Sequence, residues 1–267
     1  MLKIRMGTIR DFMFFEKQKP VYLSYADALT HCNNDLGYED TEIVEVVLEK
    51  TKLFKKKLDE EPIHIDASLA FGITVLNICM QPSNEINVLD FGGACGANYF
   101  MFKKILSNCK LNWCVVETSA MCKHAKTLEN EELHFYDDIQ LASQAGKIDL
   151  LFSSGTLMYL TDPREMLKKL TSINAKYIFL TRLSLITGNE DIVTIQQSLL
   201  SENGIGKLPG QFKDKIVKYP HTNISENYFY EILNKDYQLK ATVEDQTGTR
   251  RIKGEPVVGY GVLFQRT

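Results

Sequence analysis

Asp90 and Glu117 stand 27 residues apart, each closing a short apolar run. A glycine-rich stretch, Gly92-Gly93-Ala94-Cys95-Gly96, follows the first of them. A carboxylate has two acceptor oxygens, so an acid at the second position suits the vicinal hydroxyls of a ribose. Glycines let a backbone turn sharply and let a ligand come close to it. An acid just before such a loop repels phosphate and suits a cationic or hydroxyl-rich ligand. The set therefore implies an adenosine-bearing ligand with a cationic end. A nicotinamide dinucleotide is the rival, but the G-x-G-x-x-G that its pyrophosphate needs is absent. A second acidic pair, Asp137-Asp138, follows a third apolar run and could equally cap a helix. His221 is the expected general base, since its ordinary pKa of about 6.5 suits proton removal near neutrality. Arg182 and Gln196 have the chemistry to hold an anionic or polyhydroxylated acceptor, although Arg182 could instead pair with an acid of the core.

These residues need a scaffold, and the apolar periodicity supplies one. From Glu85 onward, strand and helix patterns alternate: strands at 86–91, 112–117, 133–136, 148–153 and 176–183, with helices at 97–107, 119–129, 138–145 and 162–172. That alternation predicts a parallel sheet with helices on both faces, and ligands in such sheets bind beyond the carboxyl ends of the strands. Residues 225–234 read as a further helix. Residues 237–243 and 257–265 read as two antiparallel strands at the end of the chain. The segment 184–226 has no clear period and several glycines, and reads as an irregular insert that closes over the site. Residues 1–84 read as a helical region packed on the core. It holds an arm over 1–20, a helix from Ser24 to about Cys32, a turn at 33–38, a helix over 41–58 capped by Thr41, and a helix over 66–80 that is apolar almost all round and so should be buried.

Composition narrows the function classes. The 267 residues carry 31 Lys and Arg against 34 Asp and Glu, a net charge of −3, so there is no basic field for nucleic acid. The run Lys55-Lys56-Lys57 is answered by Asp59, Glu60 and Glu61 and reads as a solvated helix end. The six cysteines form no C-x-x-C pair and have no histidine at ligand spacing, so no metal site is expected. No secretory leader and no membrane-spanning run is apparent, and the expectation is a reduced, cytoplasmic protein with a small-molecule substrate.

Val88-Leu89-Asp90-Phe91-Gly92-Gly93-Ala94-Cys95-Gly96 resembles motif I of the S-adenosylmethionine-dependent methyltransferases, usually D/E-x-G-x-G-x-G, with Ala94 at the middle glycine position. The chain resembles more narrowly the methyltransferases of bacterial capsule and lipopolysaccharide clusters. Further matches are Trp113-Cys114-Val115-Val116-Glu117, Phe135-Tyr136-Asp137-Asp138-Ile139, the stretch 151–163, Thr181-Arg182, Thr194-Ile195-Gln196 and Tyr219-Pro220. The resemblance implies a Rossmann-like class I methyltransferase sheet with S-adenosylmethionine as cofactor and S-adenosylhomocysteine as product. It implies Asp90, Gly92, Gly93 and Gly96 at the methionine end, Glu117 on the ribose, Asp138 and Ile139 at adenine with Asp137 as the competing acid, and Ser153 and Ser154 near the sulfonium. It also implies Tyr159 on the acceptor loop, with Tyr219 and Gln196 at the acceptor. The expected reaction is O-methylation of a nucleotide-linked sugar or capsule precursor, a phosphoramidate decoration among them. The rival readings are a nicotinamide-dependent sugar oxidoreductase or epimerase, and a subunit that binds S-adenosylmethionine without turnover.

Overall fold

The computed structural model describes residues 20–32, 40–144, 146–244 and 250–267. Residues 1–19 of the expected arm, the turn at 33–38 and residues 245–249 of the polar link between the last two expected strands lie outside them. Three helices come first: α1 (Tyr25–Leu29), α2 (Thr41–Glu60) and α3 (Ala67–Met80). The cap of α2 is Asp40 rather than Thr41, its Oδ1 accepting from the N–H groups of Glu42 and Ile43 at 2.9 and 3.3 Å. Both residue types cap well, and only the placement of the first helical turn separates them. Asp66 caps α3 by accepting from Leu69 N at 2.8 Å. α3 is not buried all round: Leu69, Val75, Leu76, Cys79 and Met80 face the core, while Ile78 is 45 % exposed.

The sequence then lays down β1 (Glu85–Phe91), α4 (Ala97–Ile105), β2 (Lys110–Val116), α5 (Ser119–Ala125), β3 (Leu133–Tyr136), α6 (Ile139–Gln144), β4 (Leu150–Ser154), α7 (Pro163–Ser172) and β5 (Tyr177–Thr181). Asp162 caps α7 and Pro163 takes its first position, where a missing N–H costs nothing. The chain continues through β6 (Leu185–Ile186), β7 (Ile192–Leu199), β8 (Ile216–Ser225), α8 (Glu226–Leu233), β9 (Tyr237–Glu244), β10 (Arg250–Ile252), β11 (Glu255–Val258) and β12 (Tyr260–Arg266).

Seven strands form the main sheet in the order β3-β2-β1-β4-β5-β12-β9. The first five are parallel, and β12 runs antiparallel to both its neighbours. This is the Rossmann-like α/β sheet with an antiparallel last strand that the alternation and the resemblance predict. Period two sorts its side chains. Ile86, Val88, Trp113, Phe152 and Phe179 join the core beneath α2–α5. Leu89, Phe91, Val116, Leu151 and Leu180 join the opposite core with α7 and α8. Asp90 shares the face of Val88 and Trp113, so the sheet carries a carboxylate into its first core.

The segment 184–226 departs from expectation. It is not an irregular loop but most of a second sheet, β10-β11-β6-β8-β7. Pro220 sits mid-strand in β8, which argues against a central strand. The structure resolves this, because at Pro220 β8 pairs with β7 alone and meets β6 only at Ile224 and Ser225. The expected single strand over 257–265 is likewise divided at Gly259, its first half joining the second sheet as β11 and its second half the main sheet as β12. Tyr22 bridges to Val193, and α1 packs on β7 and β8.

Candidate functional site

The strand order reverses between β1 and its neighbours β2 and β4, which puts a crevice beyond the carboxyl end of β1. The loop Gly92–Gly96 lies there. Each glycine is required by the protein's own packing. A Cβ on Gly92 (φ +72°) would fall 2.2 Å from Thr156 Oγ1, and one on Gly93 would fall 2.4 Å from Asp90 Oδ2. Gly96 opens α4 in the left-handed region at φ +76°. Ala94 is also left-handed, at φ +49°, and its N–H donates to Glu117 Oε1 at 3.0 Å.

Asp90 lies under this loop with no exposed surface. Trp113 Nε1 donates to its Oδ2 at 3.0 Å, whereas Oδ1 is buried without a hydrogen bond. Burial pushes its pKa up to about 7, and the Glu117 charge adds to the rise; Trp113 and Asn98 oppose it. As placed, Asp90 supports the loop from below and does not reach the crevice itself. Glu117, half-buried at the end of β2, accepts from Ala94 N on one oxygen and from Thr118 N at 3.0 Å on the other. Asp138 Oδ1 accepts from Gln140 N and Leu141 N at 2.6 and 3.1 Å and so caps α6, whose first residue is Ile139. Asp137 Oδ2 accepts from Ser119 Oγ at 2.7 Å.

Ser153 and Ser154 end β4, with different surroundings. Ser153 is buried and donates to Phe91 O at 2.8 Å, fastening β4 to β1. Ser154 Oγ accepts from Thr181 Oγ1 at 2.8 Å and from Arg182 Nε at 3.0 Å, and its carbonyl accepts from Arg182 Nη2 at 2.9 Å. Arg182 therefore holds a strand end and not a core acid, and its backbone is left-handed at φ +51°. Ser154 and Arg182 line a cavity of about 700 Å³ between the α2–α3 junction, α4 and the ends of β4 and β5. Phe54, Met101, Phe102, Phe152 and Phe179 form its apolar wall, and Asn98, His64 and Asp66 stand at its polar side.

The insert residues lie elsewhere. His221 is not on a loop over the site: it is 5 % exposed within β8, opposite Thr194, its ring 5.4 Å edge-on from that of Tyr159. Tyr219 is buried and donates to Asn203 Oδ1 at 3.0 Å, its hydroxyl pKa raised by burial. Gln196 pairs across from Tyr219 and donates to Gln197 O. Tyr159 accepts from Tyr25 Oη on its carbonyl. None of these four lines the cavity. The burial of His221 and Tyr219 follows from the second sheet, which the apolar periodicity of 184–226 does not show. His64 and Asn98 were missed in turn. Asn98 follows the glycine loop by two residues, and His64 sits beside the helix-breaking Pro62, a junction that exposes side chains on a short turn.

Among the described residues, no cluster of three or more His, Cys, Asp or Glu could hold a metal ion, and no helix is long and apolar enough to cross a membrane. No protein-family model and no curated protein matches the chain. Solved structures of similar fold do. One is S-adenosylmethionine-bound CalS10, an amino pentose methyltransferase from Micromonospora echinaspora involved in calicheamicin biosynthesis. It is 12% identical over 78% of this chain and 99% of that one, with a TM-score of 0.44. Another is an S-adenosylmethionine-dependent methyltransferase from Aquifex aeolicus, 16% identical over 73% and 88% of the two chains, TM-score 0.37. LepI in complex with S-adenosylmethionine is 13% identical over 80% of this chain and 51% of its own, TM-score 0.45. Likenesses this remote tie no ligand or reaction to the present chain.

Proposed function

We propose that the protein is an S-adenosylmethionine-dependent methyltransferase acting on a small-molecule acceptor. One observation carries this reading: a glycine loop held between Asp90 and Glu117 occupies the crevice where the strand order reverses, with a 700 Å³ cavity beginning at the next strand end. The antiparallel β12 between β5 and β9 also departs from the parallel sheet of dinucleotide oxidoreductases. The residues present fit the cofactor. Glu117 sets a carboxylate at the end of β2 beside the glycine loop, Ile139 offers an apolar edge for adenine, and the loop carries no cation to oppose a sulfonium.

When bound, the cofactor supplies a methyl group made electrophilic by positively charged sulfur. The chain's own contribution is positioning, which can account for a large share of such a rate. Glu117 and the loop fix the donor side. Ser154 and Arg182 define the boundary with the acceptor cavity. A hydroxyl acceptor also needs a base. Of the two histidines at issue only His64 lines the cavity, so proton removal is assigned to His64 in place of His221. O-methylation of a nucleotide-linked sugar or capsule precursor is the finer reading, and it rests on the sequence resemblance alone. Calorimetry with S-adenosylhomocysteine tests the core claim: saturable binding is expected, weakened strongly by Glu117→Ala, and absence of heat from the wild type removes the methyltransferase reading.

A further inference from the structure

The glycine loop and the carboxyl beneath it form one electrostatic unit. Asp90 has no exposed surface, while Gly92 and Ala94 above it are partly exposed. A Cβ on Gly93 would fall 2.4 Å from Asp90 Oδ2 and 3.0 Å from Oδ1, so the backbone of the loop is all that separates this carboxyl from a ligand resting there. That backbone does not satisfy it. The N–H groups of Gly92, Ala94 and Gly96 donate to Val116 O, Glu117 Oε1 and Gly93 O, and Asp90 Oδ1 is left buried without a hydrogen bond. A buried carboxylate with one neutral donor, Trp113 Nε1, is disfavoured by desolvation and holds its proton near neutrality unless a positive charge comes close.

Among the described residues, no cation acts on Asp90. β2 brings Glu117, whose negative charge opposes ionisation, and α4 brings the neutral Asn98. β4 faces it with Phe152. Cys95 of the loop, Tyr99 of α4 and Cys122 of α5 are pushed up by burial to about 12, 12 and 11, and so stay neutral. Lys52 of α2 acts on Cys95, but it is exposed and paired with Glu49 at 2.8 Å. We propose that Asp90 is the specificity-determining residue that separates the charged methyl donor from its product: binding of S-adenosylmethionine releases the Asp90 proton to solvent, and binding of S-adenosylhomocysteine, uncharged at sulfur, leaves it in place. The two ligands share their amino-acid and adenosine ends, so the sulfonium charge alone makes the difference. This deepens the methyltransferase reading and rests on it for the identity of the ligand.

The attraction between two unit charges about 10 Å apart, at an effective dielectric of about 20, corresponds to more than tenfold in binding. Calorimetry on the whole protein should therefore find that affinity for S-adenosylmethionine, relative to S-adenosylhomocysteine, rises about fivefold from pH 5.5 to pH 7.5. Sinefungin, which has an ammonium group in place of the methylsulfonium, should follow S-adenosylmethionine. The amino groups of the ligands titrate as well, but equally for both proteins, so the rise is read against Asp90→Asn, which should lack it. A second readout needs no variant. Trp113 is the single tryptophan and donates to Asp90, so its emission reports the state of the carboxyl. Saturating S-adenosylmethionine should lower the pH midpoint of that emission by about one unit, and S-adenosylhomocysteine by less than half as much. The same rise in wild type and Asp90→Asn overturns the proposal, as does a midpoint moved equally by both ligands. In either case binding itself leaves the methyltransferase reading standing. Binding of neither ligand at any pH removes both claims.

Discussion

Asp90 should make this protein less stable as pH rises from about 4 to about 7, and Asp90→Asn should remove that dependence. The carboxyl is fully buried, has one hydrogen bond from Trp113 and an unbonded Oδ1, and ionises in the folded state near 7 against an ordinary 3.8. Below 3.8 both folded and unfolded chains hold the proton, and stability does not depend on this group. Between 3.8 and 7 only the folded chain holds it, so stability falls as pH rises. Above 7 the buried charge carries its full penalty. At about 1.4 kcal/mol per pH unit, the whole interval corresponds to roughly 4 kcal/mol, and the part between pH 5 and pH 8 to roughly 3. The asparagine is nearly isosteric, and its carbonyl can still accept from Trp113. It should be no more stable than the wild type at pH 5, where the acid is largely neutral, and more stable at pH 8. Urea unfolding at both pH values, followed by Trp113 emission, measures this directly, and other titrating groups cancel in the difference. If the stability difference between variant and wild type is the same at pH 5 and pH 8 within about 0.5 kcal/mol, a buried, weakly compensated carboxyl is the wrong description.

Lys50→Met should cost about 3 kcal/mol or more in urea unfolding, because Lys50 Nζ donates to the carbonyls of Ser201, Asn203 and Gly204 at 2.7, 2.7 and 2.9 Å inside the protein; a change below 1 kcal/mol would mean those carbonyls find other donors. Gly92→Ala should destabilise by about 1–3 kcal/mol through its φ of +72° and its clash with Thr156, and Thr156→Gly should recover the clash part in a double-mutant cycle. Under methyl-transfer conditions His64→Gln should lower turnover about a hundredfold while S-adenosylhomocysteine affinity is kept, and the lost step should appear in the pH profile; full turnover would end the assignment of the base.

Much of the main sheet could be read from sequence because its signals are local. The run from Ile86 to Phe91, the glycines after it and Asp162 before Pro163 each act within a few residues. The burial of Asp90 was not readable, because it depends on Trp113 arriving from the next strand. The second sheet was hidden for a related reason: β6 lies between β8 and β11, and β11 comes from another part of the chain. With that sheet unseen, Tyr219 and His221 looked like loop residues available for chemistry. His64 was passed over because nothing near it in sequence resembles a site. Its significance comes from Phe152, Phe179 and Arg182, which reach the same cavity from distant strands.

The position of β12 bears on the order of assembly. It lies between β5 and β9, so a strand that follows its sheet neighbours in the sequence is an interior strand and not an edge. Until it inserts, β5 and β9 have unfilled hydrogen-bonding edges, and Gly259 alone separates it from β11, which pairs with β6. Closure of the second sheet is thereby tied to completion of the first. Pulse-labelled hydrogen exchange during refolding should find β11 amides protected no earlier than those of β12; earlier protection would separate the two events. A lesion at Val262 or Phe264 should accordingly be felt in the second sheet, far from the strand it strikes.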